Sequence, residues 1–338
     1  IRTITKIVGT GIDFPLDKLG GTLAEQNSSL RREAMLSTLN GVIGDHLAAQ
    51  DNPLALPMQL RQNGQSVDTQ TLSEAVQQAD GKVALLVHGV CMNDLQWLRQ
   101  GHDHGAALSR DLGLLPIYLH YNSGLHISEN GRQLADLLEK TIGQLGQPLE
   151  LVIIGYSMGG LVVRSACHYG RISGHGWLEH LQKLVFLGTP HHGAPLEKGG
   201  NWIDVILEIN PYSAPFARLG KIRSSGVTDL RYGNVVDDDW NGHDRFRVKG
   251  DQRAPVPLPE GVACYAIAAT TNKEFNLLGE DVIGDGLVKV SSALGQHKNA
   301  ELALSFPESR QWVGRDLNHI ALLNHPDVYE RMKTWLAE

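Results

Sequence analysis

Apolar positions along this chain fall into two alternating patterns. Short runs at 83–87, 115–120, 151–155, 184–187 and 262–268 are almost wholly apolar and are bounded by polar or glycine-rich turns. Between them, 105–112, 130–145 and 160–169 repeat apolar residues at three- and four-residue spacing. Runs lacking a polar alternate are expected of strands whose sheet is covered on both faces, and the intervening spacing is that of amphipathic helices. The alternation predicts an α/β fold with a mostly parallel central sheet and helices on both faces. A last strand is expected at 302–306 and a closing helix at 328–336.

Two stretches depart from this rhythm. Near the start, Leu30, Met35, Leu36, Leu39, Val42, Ile43 and Leu47 recur at helical spacing. Pro53, Pro57 and an Asn63-Gly64 turn signal follow, with Met58-Gln59-Leu60-Arg61 just before the turn, as in a hairpin at a sheet edge. Residues 1–80 are therefore expected to form a helical and hairpin extension packed on a core domain at 81–338. The second departure is 196–257, with an apolar stretch at 202–209, prolines at 211 and 215, and then a polar tract rich in Gly, Asp and Arg. It is expected to be an insertion in that domain.

The 338 residues, 42% hydrophobic, suffice for a large core. A net charge of −7 and no basic cluster with interleaved aromatics argue against a nucleic-acid partner. The three cysteines (Cys91, Cys167, Cys264) have apolar neighbours and are expected to be buried free thiols. No apolar run is long enough for a transmembrane helix. The opening IRTITKIVGTG lacks the apolar core of a signal peptide, and sparse cysteine use suits a cytoplasmic location.

The chemistry concentrates at 149–161, LELVIIGYSMGGL. A strand runs into Gly155-Tyr156-Ser157-Met158-Gly159 and then into a helix, the setting in which G-x-S-x-G forms a nucleophile elbow. Glycines flank the serine because larger side chains would clash in so tight a turn. A serine hydroxyl needs a base, and the base needs an orienting acid. After such an elbow these are expected in the order acid, then histidine. Among the histidines downstream, His319 sits in a polar loop just before the closing helix. His325 is followed by Pro326, falls within or beyond the start of that helix, and is expected to be a surface or capping histidine. For the acid, Asp285 in Gly284-Asp285-Gly286 is favoured over Asp281 and Glu280, because the glycines let its loop turn tightly. Oxyanion donors are expected from the backbone N–H of Met158 and, after the 83–87 strand, from Val90 in His88-Gly89-Val90. His88 is then structural. The adjacent His191 and His192 should diverge, and they have no partners at zinc spacing, so they are expected to line the site and not to bind metal. The acidic run at Asp237-Asp238-Asp239 is expected to be a solvated loop.

The set HGV at 88–90, GYSMGG at 155–160, GTPHHG at 188–193, DGLV at 285–288 and NHIALLNHP at 318–326 resembles the α/β-hydrolases. Within them it resembles bacterial triacylglycerol lipases and esterases related to GPI inositol-deacylase. The likeness runs from about residue 80 to the C-terminus. It implies a Ser157, Asp285 and His319 triad with Val90 and Met158 as oxyanion donors, no cofactor, and a lid or cap at the insertion. Many such lipases bind calcium through an aspartate two residues after the histidine; here that position is Ala321, so no metal is expected. The expected activity is hydrolysis of hydrophobic or lipid-like esters through an acyl-enzyme. An acyltransferase, thioesterase or polyester depolymerase on the same residues is the alternative, as is a lipid-binding protein without turnover.

Overall fold

A computed structural model describes residues 30–194, 224–242, 251–272 and 284–338. The 202–209 stretch, Glu280 and Asp281 lie outside these residues. The described chain begins with helix α1 (Leu30–Ala49), followed by the hairpin β1 (Gln59–Gln62) and β2 (Gln65–Ser66) and helix α2 (Thr69–Gln78). The alternation then settles into β3 (Lys82–Val87), α3 (His104–Leu112), β4 (Leu115–His120), α4 (Ile127–Leu145), β5 (Glu150–Tyr156), α5 (Met158–Ser173) and β6 (Leu181–Leu187). It closes with α6 (Ser225–Tyr232), β7 (Ala263–Thr270), α7 (Val290–Ala293), β8 (Gln311–Arg315) and α8 (Pro326–Ala337).

The strands form one eight-stranded sheet in the order β2-β1-β4-β3-β5-β6-β7-β8. From β4 to β8 every pair is parallel, and only the hairpin at the edge is antiparallel. Asn63 (φ 52°) and Gly64 (φ 76°) turn that hairpin, since a two-residue connection with both residues left-handed matches the strands' own twist.

Side chains alternate between two cores. Leu85, Val87, Ile153, Leu184, Phe186 and Ala266 face one way, against α1, α2, α4 and α5. Leu86, Ile154, Tyr156, Val185, Leu187 and Ile267 face the other, against α3 and α8. Burial of each such Leu or Ile is worth roughly 1.5–3 kcal/mol relative to exposure. The sheet is thus covered on both faces, as the uninterrupted apolar runs require. This is the α/β-hydrolase architecture, with the C-terminal ends of β3, β5, β6, β7 and β8 opening on one edge. Among the described residues, no helix is long and apolar enough to cross a membrane.

One expected strand is displaced. Residues 302–306 are irregular, and the last strand is β8, paired with Ala266–Thr270 of β7. Leu304 and Phe306 are apolar because they plug the core as a loop. β8 lies at the sheet edge, where a strand can carry polar residues. The acidic run is also not a solvated loop. Asp237 accepts from Ser128 Oγ on α4, and Asp239 accepts the N–H groups of Val235, Val236 and Ala254, so Asp237 ties its segment to α4 and Asp239 ties it to Ala254.

Candidate active site

Ser157 stands between β5 and α5 with φ 53° and ψ −123°, a conformation that is strained for any residue with a side chain. Its N–H donates to the Leu187 carbonyl at 2.8 Å, which pins the turn to the end of β6. The serine itself is 7% exposed. The turn can be this tight because its neighbours are glycines. A Cβ on Gly159 would lie 2.2 Å from the Val87 carbonyl oxygen, and one on Gly155 would lie 2.6 Å from Gly160 Cα.

The β3 end runs directly beside the serine. A Cβ on Gly89 would be 3.1 Å from Ser157 Cβ. His88 is buried, stacks on Tyr121 with ring centroids 4.3 Å apart, and has Nδ1 2.8 Å from the Gly89 carbonyl oxygen. Burial pushes its pKa down to about 3, so the ring is a neutral strut and not a base near neutral pH. The next residues are Val90 and Cys91; the Cys91 N–H is taken by Ser123 Oγ at 3.0 Å. Met158 opens α5, so its N–H belongs to the helix N-terminus, where negative charge is favoured.

His319 and Asp285 meet at the ends of β8 and β7. His319 Nδ1 lies 2.6 Å from Asp285 Oδ2, and both residues are 2% exposed. Asp285 Oδ1 accepts the N–H groups of Leu287 (3.0 Å) and Val288 (2.8 Å), which leaves Oδ2 for the imidazole. A carboxylate facing Nδ1 makes Nδ1 the protonated nitrogen, a tautomer assigned from this pairing. His319 Nε2 is buried and has no hydrogen-bond partner among the described residues. The ring also abuts the end of β6, since a Cβ on Gly188 would be 3.0 Å from its Cε1. Ser157 and His319 therefore converge on the same strand end, Leu187-Gly188.

The other singled-out residues lie apart from this junction. His325 caps α8, accepting from the Asp327 N–H. His191 turns into the core beside Phe186 and Phe306, whereas His192 faces Arg253 and His297, so the two rings diverge. Among the described residues, no group of three or more His, Cys, Asp or Glu side chains is arranged to hold a metal ion. All three cysteines are buried and free. Burial pushes the Cys91 thiol up to about 12, which makes it a poor nucleophile. One contact had no signal in the sequence: Tyr156 donates its hydroxyl to the His319 carbonyl at 3.2 Å and lays its ring 5.0 Å from the imidazole.

The described residues thus bring a strained serine turn and a buried His–Asp pair to the C-terminal strand ends of an α/β-hydrolase sheet. The chain belongs to a family described as a domain of unknown function (DUF7379), which matches residues 55–227, just over half of its length. No curated protein matches. Among solved structures it is similar to the mature form of Bacillus licheniformis lipase BlEst2 (17% identity, 76% of this chain and 92% of that one, TM-score 0.48). It is also similar to esterase RhEst1 from Rhodococcus sp. ECU1013 (15%, 77% and 92%, TM-score 0.44). A third is the NocB thioesterase domain in covalent complex with a fluorophosphonate nocardicin G analogue (15%, 76% and 96%, TM-score 0.44). These are distant likenesses, and the reading of the site rests on the geometry above.

Proposed function

We propose that the chain is a serine carboxylester hydrolase acting on hydrophobic or lipid-like esters. The observation that carries this reading is the buried pairing of His319 Nδ1 with Asp285 Oδ2, next to a serine held at positive φ. His319 Nε2 takes the Ser157 proton as Oγ attacks the ester carbonyl. Asp285 holds the ring and stabilises the imidazolium that forms. The N–H groups of Val90 and Met158 stabilise the oxyanion. The imidazolium protonates the leaving alcohol, and an acyl-enzyme remains. His319 then activates water, which releases the acid and restores Ser157.

Domain 81–338 carries this chemistry. Residues 30–80 pack against it, and the insertion at 196–257 serves as a cap that shapes the acyl site. The described part of that insertion is tied to the core. Asp229 on α6 accepts the Ile127 N–H and faces His126 Nδ1, both at 2.9 Å, while Trp240 stacks on His126 at 3.7 Å.

The test is a rate profile over p-nitrophenyl esters from acetate to palmitate, with Ser157→Ala as control. Turnover that the control abolishes, with a preference for chains longer than acetate, is the expected result. Equal rates for wild type and control would overturn the reading.

A further inference from the structure

Helix α1 lies upstream of the family match, and its amphipathic spacing makes it look like a helix laid on the outside of the core. Its polar side is nevertheless buried. Ser37, Thr38 and Asn40 are at most 1% exposed, and the helix kinks at Ile43, between Gly41 and Gly44. Those two glycines mark where the helix backbone meets the loops at the edge of the sheet.

Three loops are gripped there. At Gly41, an added Cβ would lie 2.2 Å from Cys91 Sγ and 2.9 Å from both Cys91 Cα and N. At Gly44, it would lie 1.9 Å from Asn122 Oδ1, while Asn122 Nδ2 donates to the Gly44 carbonyl at 2.9 Å. The insertion is held from the same turns of α1: Ser224 Oγ donates to the Gly41 carbonyl at 2.7 Å, and Ser225 donates through N and Oγ to Asp45 Oδ2, both at 3.0 Å. A fourth tie runs through charge. Arg61 on β1 bridges Glu33 of α1 (3.1 Å) and Asp94 (3.3 Å), three residues beyond Cys91.

Cys91 is the residue on which this grip acts. It holds φ 61°, a left-handed conformation unusual for a side-chain-bearing residue, and its Sγ lies 3.9 Å from the Thr38 carbonyl. Its N–H is fixed by Ser123, in the loop that Gly44 contacts through Asn122. The peptide joining Val90 to Cys91 carries the Val90 carbonyl and the Cys91 N–H, and the Val90 N–H lies one peptide earlier, beside the Gly89 carbonyl that faces His88 Nδ1. With Cys91 locked between a helix backbone and Ser123, and Gly89 held by His88, Val90 is fixed from both sides, so a shift of Cys91 turns the Val90 N–H through the Val90 backbone torsions.

We infer that α1 is part of the active site, with Gly41 as a positioning residue that acts through Cys91 to aim the Val90 N–H at the oxyanion. The inference rests on the hydrolase reading. It assigns to the N-terminal helix a role in transition-state stabilisation and not only in packing. A misplaced donor weakens binding of the developing oxyanion while leaving ground-state ester binding almost intact.

The experiment uses the full chain with Gly41→Ala. Three quantities are read: kcat and KM on a p-nitrophenyl ester, the rate of fluorophosphonate labelling, and affinity for a trifluoromethyl ketone, which forms a tetrahedral oxyanion on the serine. The expected result is a fall in kcat of about 10- to 100-fold, with KM within roughly twofold of wild type. Trifluoromethyl ketone affinity should fall by a matching factor, a change that a merely structural defect would not track. Should Gly41→Ala fail to fold, Cys91→Ala carries the test. Removing Sγ releases the turn from the helix, and the same parallel loss of kcat and ketone affinity is expected, about fivefold or more. A wild type that labels at Ser157, together with variants of unchanged kcat or of unchanged ketone affinity, overturns this inference alone. A wild type that resists the probe overturns both it and the hydrolase reading.

Discussion

His319 and Asp285 are joined twice. The imidazole Nδ1 sits 2.6 Å from Asp285 Oδ2, and the His319 N–H donates to the Asp285 carbonyl at 2.9 Å. The second bond ties the β8 loop to the β7 loop whatever the protonation state of the ring. A substitution at the carboxylate therefore tests the chemistry with the loop geometry largely kept.

Asp285→Asn is expected to lower kcat by about 10⁴-fold, because the amide lets the ring take the wrong tautomer. Circular dichroism and the thermal transition should stay close to those of the wild type, since the backbone bond and the N–H groups of Leu287 and Val288 still have oxygen acceptors. Steady-state kinetics on a p-nitrophenyl ester provide the check; a loss of less than about tenfold would contradict the assigned role.

Acid should destabilise the protein through His104. This residue starts α3, is fully buried, and faces the Leu322 carbonyl through Nε2 at 2.9 Å, just beyond the His319 turn. Burial pushes its pKa down to about 4. An unfolded histidine titrates near 6.5, so below that pH the unfolded chain binds a proton that the folded chain refuses. Stability from this group is complete above about pH 6.5 and drains away as the pH falls towards 4. The loss is on the order of 3 kcal/mol. Urea melts at pH 7.5 and pH 4.5 should show a larger drop in wild type than in His104→Gln. Equal drops would remove His104 from the account.

Gly159→Ala should be far more damaging than a one-carbon change on a helix surface. Its Cβ would meet the carbonyl oxygens of Val87 at 2.2 Å and His88 at 2.6 Å, both on the rigid end of β3. Overpacking against backbone costs about 1–3 kcal/mol or more. The relief available is a shift of the β3 turn or of the elbow, so activity should fall together with the melting temperature. A stable, fully active Gly159→Ala would mean that the two turns are not in contact.

Much of this arrangement was legible in the chain. β3 to β7 are buried on both faces, so they stand out as apolar runs, and the elbow announces itself through Gly155, Ser157 and Gly159. Asp285 and His319 could be chosen by their order and loop context. β8 was not legible, because as an edge strand it reads Gln-Trp-Val-Gly-Arg, whereas the more apolar 302–306 stretch is a buried loop. The partners of α1 were hidden for a different reason. Ser37, Thr38, Asn40, Gly41 and Gly44 look like the wet side of an amphipathic helix, yet Thr38, Gly41 and Gly44 meet loops about 50 to 180 residues away and Asn40 is bonded to Leu54 and Leu56. Periodicity reports which side of a helix is apolar, not what polar backbone is folded over the other side.

The central claim is that Ser157 is a nucleophile served by His319. Its most direct measurement is treatment of the full chain with a fluorophosphonate, followed by peptide mapping by mass spectrometry. One adduct on Ser157 is predicted. It should be absent in Ser157→Ala and formed at least about 100-fold more slowly in His319→Ala, because the hydroxyl then lacks its base. An unmodified Ser157, or labelling that proceeds at the wild-type rate without His319, would contradict the account.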